Sequence, residues 1–269
     1  MLILGGGVIG LSCALFLLQA GRSVRVLDRG RVGAATSHGN CGTITPSHAL
    51  PLAAPGMIGK ALKYMTQADA PFYIKPSTDL ALLEWLLHFS LRCNEKDMRQ
   101  AAFARAGLLN ASRRMLQSII TEHALDCGFS ASGVMYACKT RQHLDELCEE
   151  LPLLQACGVP AEILDAPALA GREPALLPGM AGGVFFQDDA HFKPDAYCAE
   201  LSRLVRQLGG VIEEGCEVLS LDAEGDVIRH VETALGRRSA PQIVMALAAW
   251  SPAMLKSVGL QIPVQPGKG

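Results

Sequence analysis

The chain opens on an apolar run, Leu2 to Ala20, whose first half is crowded by Gly5, Gly6, Gly7 and Gly10. A helix loses about 1 kcal/mol for each interior glycine, and no basic residue precedes the run, so neither a membrane span nor a signal segment fits it. Split at the glycines, the pattern predicts a short buried strand at Leu2-Ile3-Leu4. A helix then runs from Val8 to Ala20, with Ala14, Leu17 and Leu18 facing a sheet and Gly21 ending it. Ser23 to Leu27 alternates as a second strand, with Asp28 as its last residue or the first of the loop. The N-terminus therefore reads as a βαβ unit.

Downstream, Ser77 or Thr78 can cap a helix through about Arg92, and Lys96 to about Cys127 reads as one long helix. Gly133 to Cys138 has strand character, Arg141 to Leu151 is a helix stopped by Pro152, and Gly182 to Phe186 is another strand. Pro194 sits at a helix N1 position, opening Asp195 to Leu208, which Gly209-Gly210 closes. Strands follow at Val211 to Glu213, Cys216 to Leu221, Asp226 to Glu232 and Gln242 to Ala246, as a return to the first sheet plus a small meander.

Composition narrows the class. Hydrophobic residues are 49% of 269 and charged residues 19%, which excludes disorder and a small disulfide scaffold. The formal charge of -2 leaves no basic surplus for nucleic acid. Nine cysteines, an odd number with no CxxC pair, read as reduced thiols of a cytoplasmic protein.

The chemistry lies at the glycines. The spacing Gly5-x-Gly7-x-x-Gly10 sits between strand and helix, with Asp28 placed 18 residues beyond Gly10. Gly5 allows the tight turn, Gly7 lets the backbone approach a pyrophosphate, and Gly10 brings helix and strand together. The helix start through Gly6, Val8 and Ile9 offers N–H groups and a positive dipole end, while Asp28 can hold ribose hydroxyls with Arg29 beside it. The alternative is a glycine-rich turn without ligand. The loop from Gly33 to Gly56 favours FAD over NAD, because small residues directly after the second strand bring backbone near something flat. Ser37 can bond a phosphate, and Gly39-Asn40-Cys41-Gly42, leading into Thr43, can lie along an isoalloxazine edge. The alternative here is an ordinary surface loop.

Ser37-x-x-Asn40-x-Gly42, Pro46, Pro51-Leu52-Ala53-Ala54-Pro55-Gly56, Ala70-Pro71 and Trp85 resemble the FAD-dependent D-amino-acid oxidoreductases. Within them the likeness is to the bacterial D-amino-acid dehydrogenases, including hydroxy-D-proline dehydrogenases. Near the end, Ala246-Leu247-Ala248-Ala249-Trp250-Ser251 is similar to that family's AxGAWS segment, with Ala248 in place of its Gly. Pro263-Val264-x-Pro266-x-Lys268-Gly269 is similar to its PVxPxKG.

The resemblance implies an α/β fold: a discontinuous Rossmann-like FAD-binding domain at 1–75 and 185–258, with an inserted α+β substrate domain at 76–184 and 259–269. It also implies that Val218 lies near the adenine and Ala248 near the cofactor. The implied reaction sets the Cα–H of a D-amino acid over flavin N5, removes a hydride, and yields an imino acid that hydrolyses to a 2-oxo acid. A quinone or other acceptor takes the electrons, and the protein associates peripherally with the inner face of the cell membrane. Gly259 to Pro266 should start a strand with nothing to pair it. The family's main substrate-carboxylate and flavin-facing groups are expected beyond Gly269, leaving this chain an incomplete enzyme. A glycine or sarcosine oxidase and a noncatalytic nucleotide-binding subunit stand as alternatives.

Other candidates are weaker. Asp188, Asp189, His191 and Asp195 could form a metal cluster, but acids ahead of a helix are favoured by its dipole, and no metal site is expected. His48 could face a substrate carboxylate or be a solvated loop histidine. Cys41 could touch the flavin or act as a small filler. Leu83, Trp85, Leu86, Leu87 and His88 read as a helix partly in the core.

Overall fold

The structure, a computed structural model, describes residues 1–65, 74 and 78–264. Ala70-Pro71, the Ser77 cap, Lys75 at the expected domain boundary and the closing Pro266-x-Lys268-Gly269 lie outside the described residues. The strands in chain order are β1 (Leu2–Leu4), β2 (Arg25–Leu27), β3 (Thr43–Ile44), β4 (Val134–Cys138), β5 (Glu162–Asp165) and β6 (Gly182–Phe186). Then follow β7 (Ala190–His191), β8 (Val211–Glu213), β9 (Val218–Glu224), β10 (Val227–Thr233) and β11 (Ile243–Met245). The helices are α1 (Val8–Gln19), α2 (Met57–Tyr64), α3 (Leu80–Arg92), α4 (Glu95–Glu122), α5 (Arg141–Ala156), α6 (Ala166–Arg172), α7 (Pro194–Gln207) and α8 (Ser251–Lys256).

Two compact units divide the chain. The first takes Met1–Gly42, Leu125–Gly128 and the described residues from Phe192 on. Its sheet is parallel, in the order β11-β1-β2-β8, with Leu2 registered on Ile243 and on Arg25. Ile3 and Val26 are fully buried, each stabilising the unit by about 1.5–3 kcal/mol. Gly10, Leu11, Ala14 and Leu15 are the buried residues of α1, while Leu17 and Leu18 are only half-buried. The burial is shifted toward the helix start because Gly10 draws that first turn against β1. Helix α7 packs beside α1, burying Tyr197, Leu201 and Val205. On the opposite side of the sheet Leu2, Leu4 and Leu27 form a second core with Cys216, Leu221 and Val231 of the β9–β10 hairpin region. Strand alternation thus places Leu2 and Leu4 on one face and Ile3 on the other.

The second unit takes Thr43–Ala124 and Phe129–His191. Its antiparallel sheet runs β4-β6-β5, and Ala49, Ala106, Leu144, Leu154, Val184 and Phe186 belong to one core. These divisions differ from 1–75 and 185–258. Residues from Thr43 join the second unit because β3 pairs with β7 and the turn Pro46–Ala49 buries Ala49 in this core. Phe186, at the end of β6, is held by the same core.

Three local expectations are corrected. Helix α5 does not stop before Pro152 but runs through it, ending at Ala156. An internal proline costs about 3 kcal/mol, and the burial of Leu153 and Leu154 just beyond it offsets that. Helix α3 is capped by Asp79, whose carboxylate accepts from Ala81 N at 3.0 Å, rather than by Thr78. No strand forms over 259–264: Gly259 takes φ +75° after α8, and Leu260 N donates back to Leu255 O at 3.1 Å, turning the chain aside.

Candidate nucleotide site

The site grows from the end of β1. Gly5 has φ +102°, and a Cβ there would lie 2.4 Å from Ala246 O, so only glycine can make this turn beside β11. A Cβ on Gly10 would lie 1.8 Å from Gly5 O, which fixes the close contact of helix and strand. Gly7 is extended and leads directly into α1 with no side-chain cap of its own. The cap comes from far along the chain: Ser37 Oγ accepts from Val8 N at 2.9 Å.

Asp28 is fixed by backbone. Gly6 N donates to one carboxylate oxygen at 2.8 Å, and Gly30 N donates to the other at 2.8 Å. Each oxygen keeps a further lone-pair direction for a ligand donor. Gly6, with no side chain, lets the carboxylate approach; a Cβ there would lie 3.2 Å from Asp28 Oδ2.

Gly5, Gly7, Asp28, Arg29 and Ser37 line a cavity of about 380 Å³ in the first unit. Val218 and Ala248 line it too, with Trp250 and Met254 adding apolar wall. Arg29 lies over the Trp250 ring. This volume suits a nucleotide-sized ligand. A helix N-terminus, a fixed carboxylate and an apolar wall are the donor, acceptor and stacking groups that an adenosine diphosphate moiety requires. The residues present therefore fit the ADP half of FAD.

Ala248 has φ +47°, in the left-handed region where an L side chain is strained. Glycine would take this backbone without strain, and this chain meets it with alanine.

Other predicted residues sit elsewhere. Gly6 and Gly10 build the turn from behind, and Val8 and Ile9 form the first turn of α1. Asn40 organises its own loop: Nδ2 donates to Ser37 O at 2.8 Å and Oδ1 accepts from Gly42 N at 2.8 Å. The Gly42 N–H is thereby taken by Asn40 and not displayed as a donor. The small size of Gly42 serves packing, since a Cβ would lie 2.1 Å from Phe192 O. Cys41 is exposed. Thr43 belongs to the second unit, paired with His191 in the β3–β7 ladder.

His48, also in the second unit, is exposed, with Nε2 2.6 Å from the Tyr136 hydroxyl. Asp188, Asp189 and His191 do not converge, and the described residues hold no group of three or more His, Cys, Asp or Glu able to take a metal ion. Asp189 is fully buried against Ser47 instead of standing at the helix dipole.

Sequence reading missed two features of the nucleotide site. Trp250 enters the sequence reading only as part of a motif, although a tryptophan five residues after the end of β11 is a signal for a cavity wall. Cys198, buried on α7, bonds Ser37, and its burial pushes the thiol up while that bond opposes the shift. Gly33 makes room for it, because a Cβ there would lie 2.7 Å from Cys198 Cβ.

Fold and site together define a dinucleotide-binding α/β unit with an inserted α+β unit. Residues 1–269 match the family described as FAD dependent oxidoreductase, and the chain belongs to it. It is 35% identical to a D-amino acid dehydrogenase of Vibrio cholerae over 100% of this chain and 65% of that protein. With a D-amino acid dehydrogenase of Methylobacterium radiotolerans it shares 32% identity over the same fractions. The chain therefore spans 65% of the length of these relatives. Among solved structures, glycine oxidase from Geobacillus kaustophilus superposes with TM-score 0.72 at 18% identity, covering 97% of this chain and 58% of that one. L-amino acid deaminase from Proteus vulgaris superposes with TM-score 0.68 at 14% identity, covering 97% and 50%. These two show the fold. No helix among the described residues is long and apolar enough to cross a membrane.

Proposed function

We propose that this chain holds FAD through its ADP half, for the oxidative deamination of a D-amino acid of the D-proline or hydroxy-D-proline type. The product is an imino acid and then a 2-oxo acid, and the electrons go to a non-oxygen acceptor such as a quinone. The observation that carries the cofactor reading is the Asp28 carboxylate, held by the N–H groups of Gly6 and Gly30 beside the start of α1. The name printed for the relatives at 35% and 32% identity supports the substrate class.

Within this reading Asp28 accepts from the ribose hydroxyls, and the N–H groups at the start of α1 face the pyrophosphate. Ser37, bonded to Val8 N and to Cys198, holds the start of α1 in place beside the phosphates. Arg29 sets its positive charge and Trp250 its flat surface beside the adenosine, with Val218 forming the facing wall. Bound FAD supplies the two-electron acceptor of the reaction.

Reconstitution with FAD tests the cofactor, with visible flavin absorbance retained on the folded chain as the expected result. A folded protein that stays colourless with FAD yet binds NAD overturns it. Dye reduction by the FAD-loaded protein with D-proline, hydroxy-D-proline and D-alanine, set against oxygen consumption, tests substrate and acceptor.

A further inference from the structure

Helix α3 of the second unit is rich in apolar residues, yet none of its 13 residues is buried. Trp85 and Phe89, half-buried with their rings stacked at 5.4 Å between centroids, mark its sheltered face. The other face is open. Leu80, Leu83, Leu87 and Leu91 recur at the three- and four-residue steps of one helical stripe, and they are 79%, 47%, 58% and 64% exposed. Single exposed leucines are ordinary, but four in one line present roughly 400 Å² of apolar surface, the size at which a patch marks a contact site.

The stripe reads the same in both directions. A two-fold axis crossing the helix between Trp85 and Leu86 sets Leu80 opposite the partner's Leu91, and Leu83 beside the partner's Leu87. Glu84 and His88 lie one turn apart on a single flank of the stripe, with Glu84 Oε1 and His88 Nε2 3.8 Å from each other. Both side chains are largely exposed, 75% and 71% respectively. In an antiparallel pair like flank meets like flank, so the same axis brings Glu84 toward the partner's His88 and His88 toward the partner's Glu84. An acceptor then faces a donor on each side of the axis. A parallel pair sets each residue level with its own copy, so neither exchange forms. The antiparallel sense also opposes the two helix dipoles.

We propose that the open face of α3 is a dimer contact, on which the same leucine stripe of a second copy of this chain packs antiparallel about a two-fold axis. The occupant is a second copy because the surface complements itself, in the spacing of the leucines and in the order of acid and imidazole beside them. A lipid surface makes no use of that order. Burying roughly 400 Å² on each copy falls short of the about 800 Å² per partner of a standard stable complex, which makes this a weak, exchanging dimer. It forms at micromolar concentration and dissociates on dilution.

Sedimentation velocity of the full chain, run from low to high micromolar concentration, tests this. The expected result is a rise with concentration from the 28.6 kDa of one chain toward twice that mass. Leu87→Glu sets a carboxylate at the middle of the stripe and is expected to hold the chain monomeric. Leu62→Glu replaces a leucine that is 63% exposed on α2, off the stripe, and is expected to leave the dimer unchanged. Glu84→Lys and His88→Glu each remove the match across the axis and are expected to weaken the dimer several-fold, while the double variant restores it with the charges exchanged. Circular dichroism reports that each variant is folded; should Leu87→Glu fail to fold, the charge variants decide alone. A wild type that stays monomeric throughout, including one that instead binds lipid vesicles through these leucines, overturns the proposal. So does a dimer untouched by Leu87→Glu, one weakened equally by Leu62→Glu, or a double variant no tighter than the single ones.

Discussion

The guanidinium carbon of Arg29 lies 4.6 Å from the centroid of the Trp250 ring, joining the residue after Asp28 to the segment after β11 across the wall of one cavity. These residues are more than two hundred positions apart in sequence. Their stacking requires the β11-β1-β2 order, which sets the ends of β2 and β11 on either side of β1.

Arg29→Ala is expected to weaken FAD several-fold, through loss of a cation in contact with the cavity wall. A partly exposed cation–π pair contributes about 0.5–1 kcal/mol, so stability should fall by no more than that. Titration of apoprotein with FAD checks the first expectation. Trp250 emission in a Trp85→Phe background checks the second, since Trp85 is the other tryptophan.

Asp28→Ala leaves the N–H groups of Gly6 and Gly30 without their acceptor and removes the expected ribose contact. Unsatisfied donors cost about 1–3 kcal/mol each when shielded from water. FAD affinity should fall at least tenfold, with Gly7→Val weakening it separately by crowding the Ser37 hydroxyl, 3.0 Å from the position of a Cβ. Unchanged flavin occupancy in both variants would falsify the placement of the cofactor.

Ala248→Gly should stabilise the protein. Relief of a left-handed alanine gains about 1–2 kcal/mol, less about 0.4–1 kcal/mol of added chain entropy in the unfolded state. A net gain of about 0.5–1 kcal/mol in urea unfolding is expected, with FAD binding equal or tighter. A clear loss of FAD affinity would place this segment wrongly against the cofactor.

Burial pushes the Asp189 carboxyl above the ordinary aspartate value, against the opposing bonds from Ser47. The folded state therefore holds its proton to higher pH than the unfolded chain does, and the Asp189 contribution to stability falls as pH rises from about 4 through the raised folded value. Asp189→Asn should flatten that part of the stability profile. Urea midpoints across the acid-to-neutral range measure it, and an unchanged slope in the variant would assign the effect to other groups.

Much of the first unit was legible because its constraints are local. Glycine at positions 5, 7 and 10 between an apolar triplet and an apolar helix permits one arrangement, and Gly182 to Phe186 was likewise readable from its composition and flanking turns. The course of α5 through Pro152 was not legible, because local propensity stops a helix there and only the core around Leu154 reverses the balance.

The sequence by itself determined the βαβ turn and the acid after β2, carried by residue spacing within single segments, and its motifs toward both ends carry the resemblance to the family. Tertiary structure alone decided which distant groups meet: Ser37 on Val8 N, Arg29 on Trp250, and Asp189 beneath Ser47. It also decided the backbone of Ala248, whose positive φ follows from the path of the chain leaving β11. The reason is physical. Spacing fixes φ, ψ and side-chain periodicity over a few residues, whereas a contact between remote segments depends on how strands order in a sheet and on which buried polar groups must find partners there.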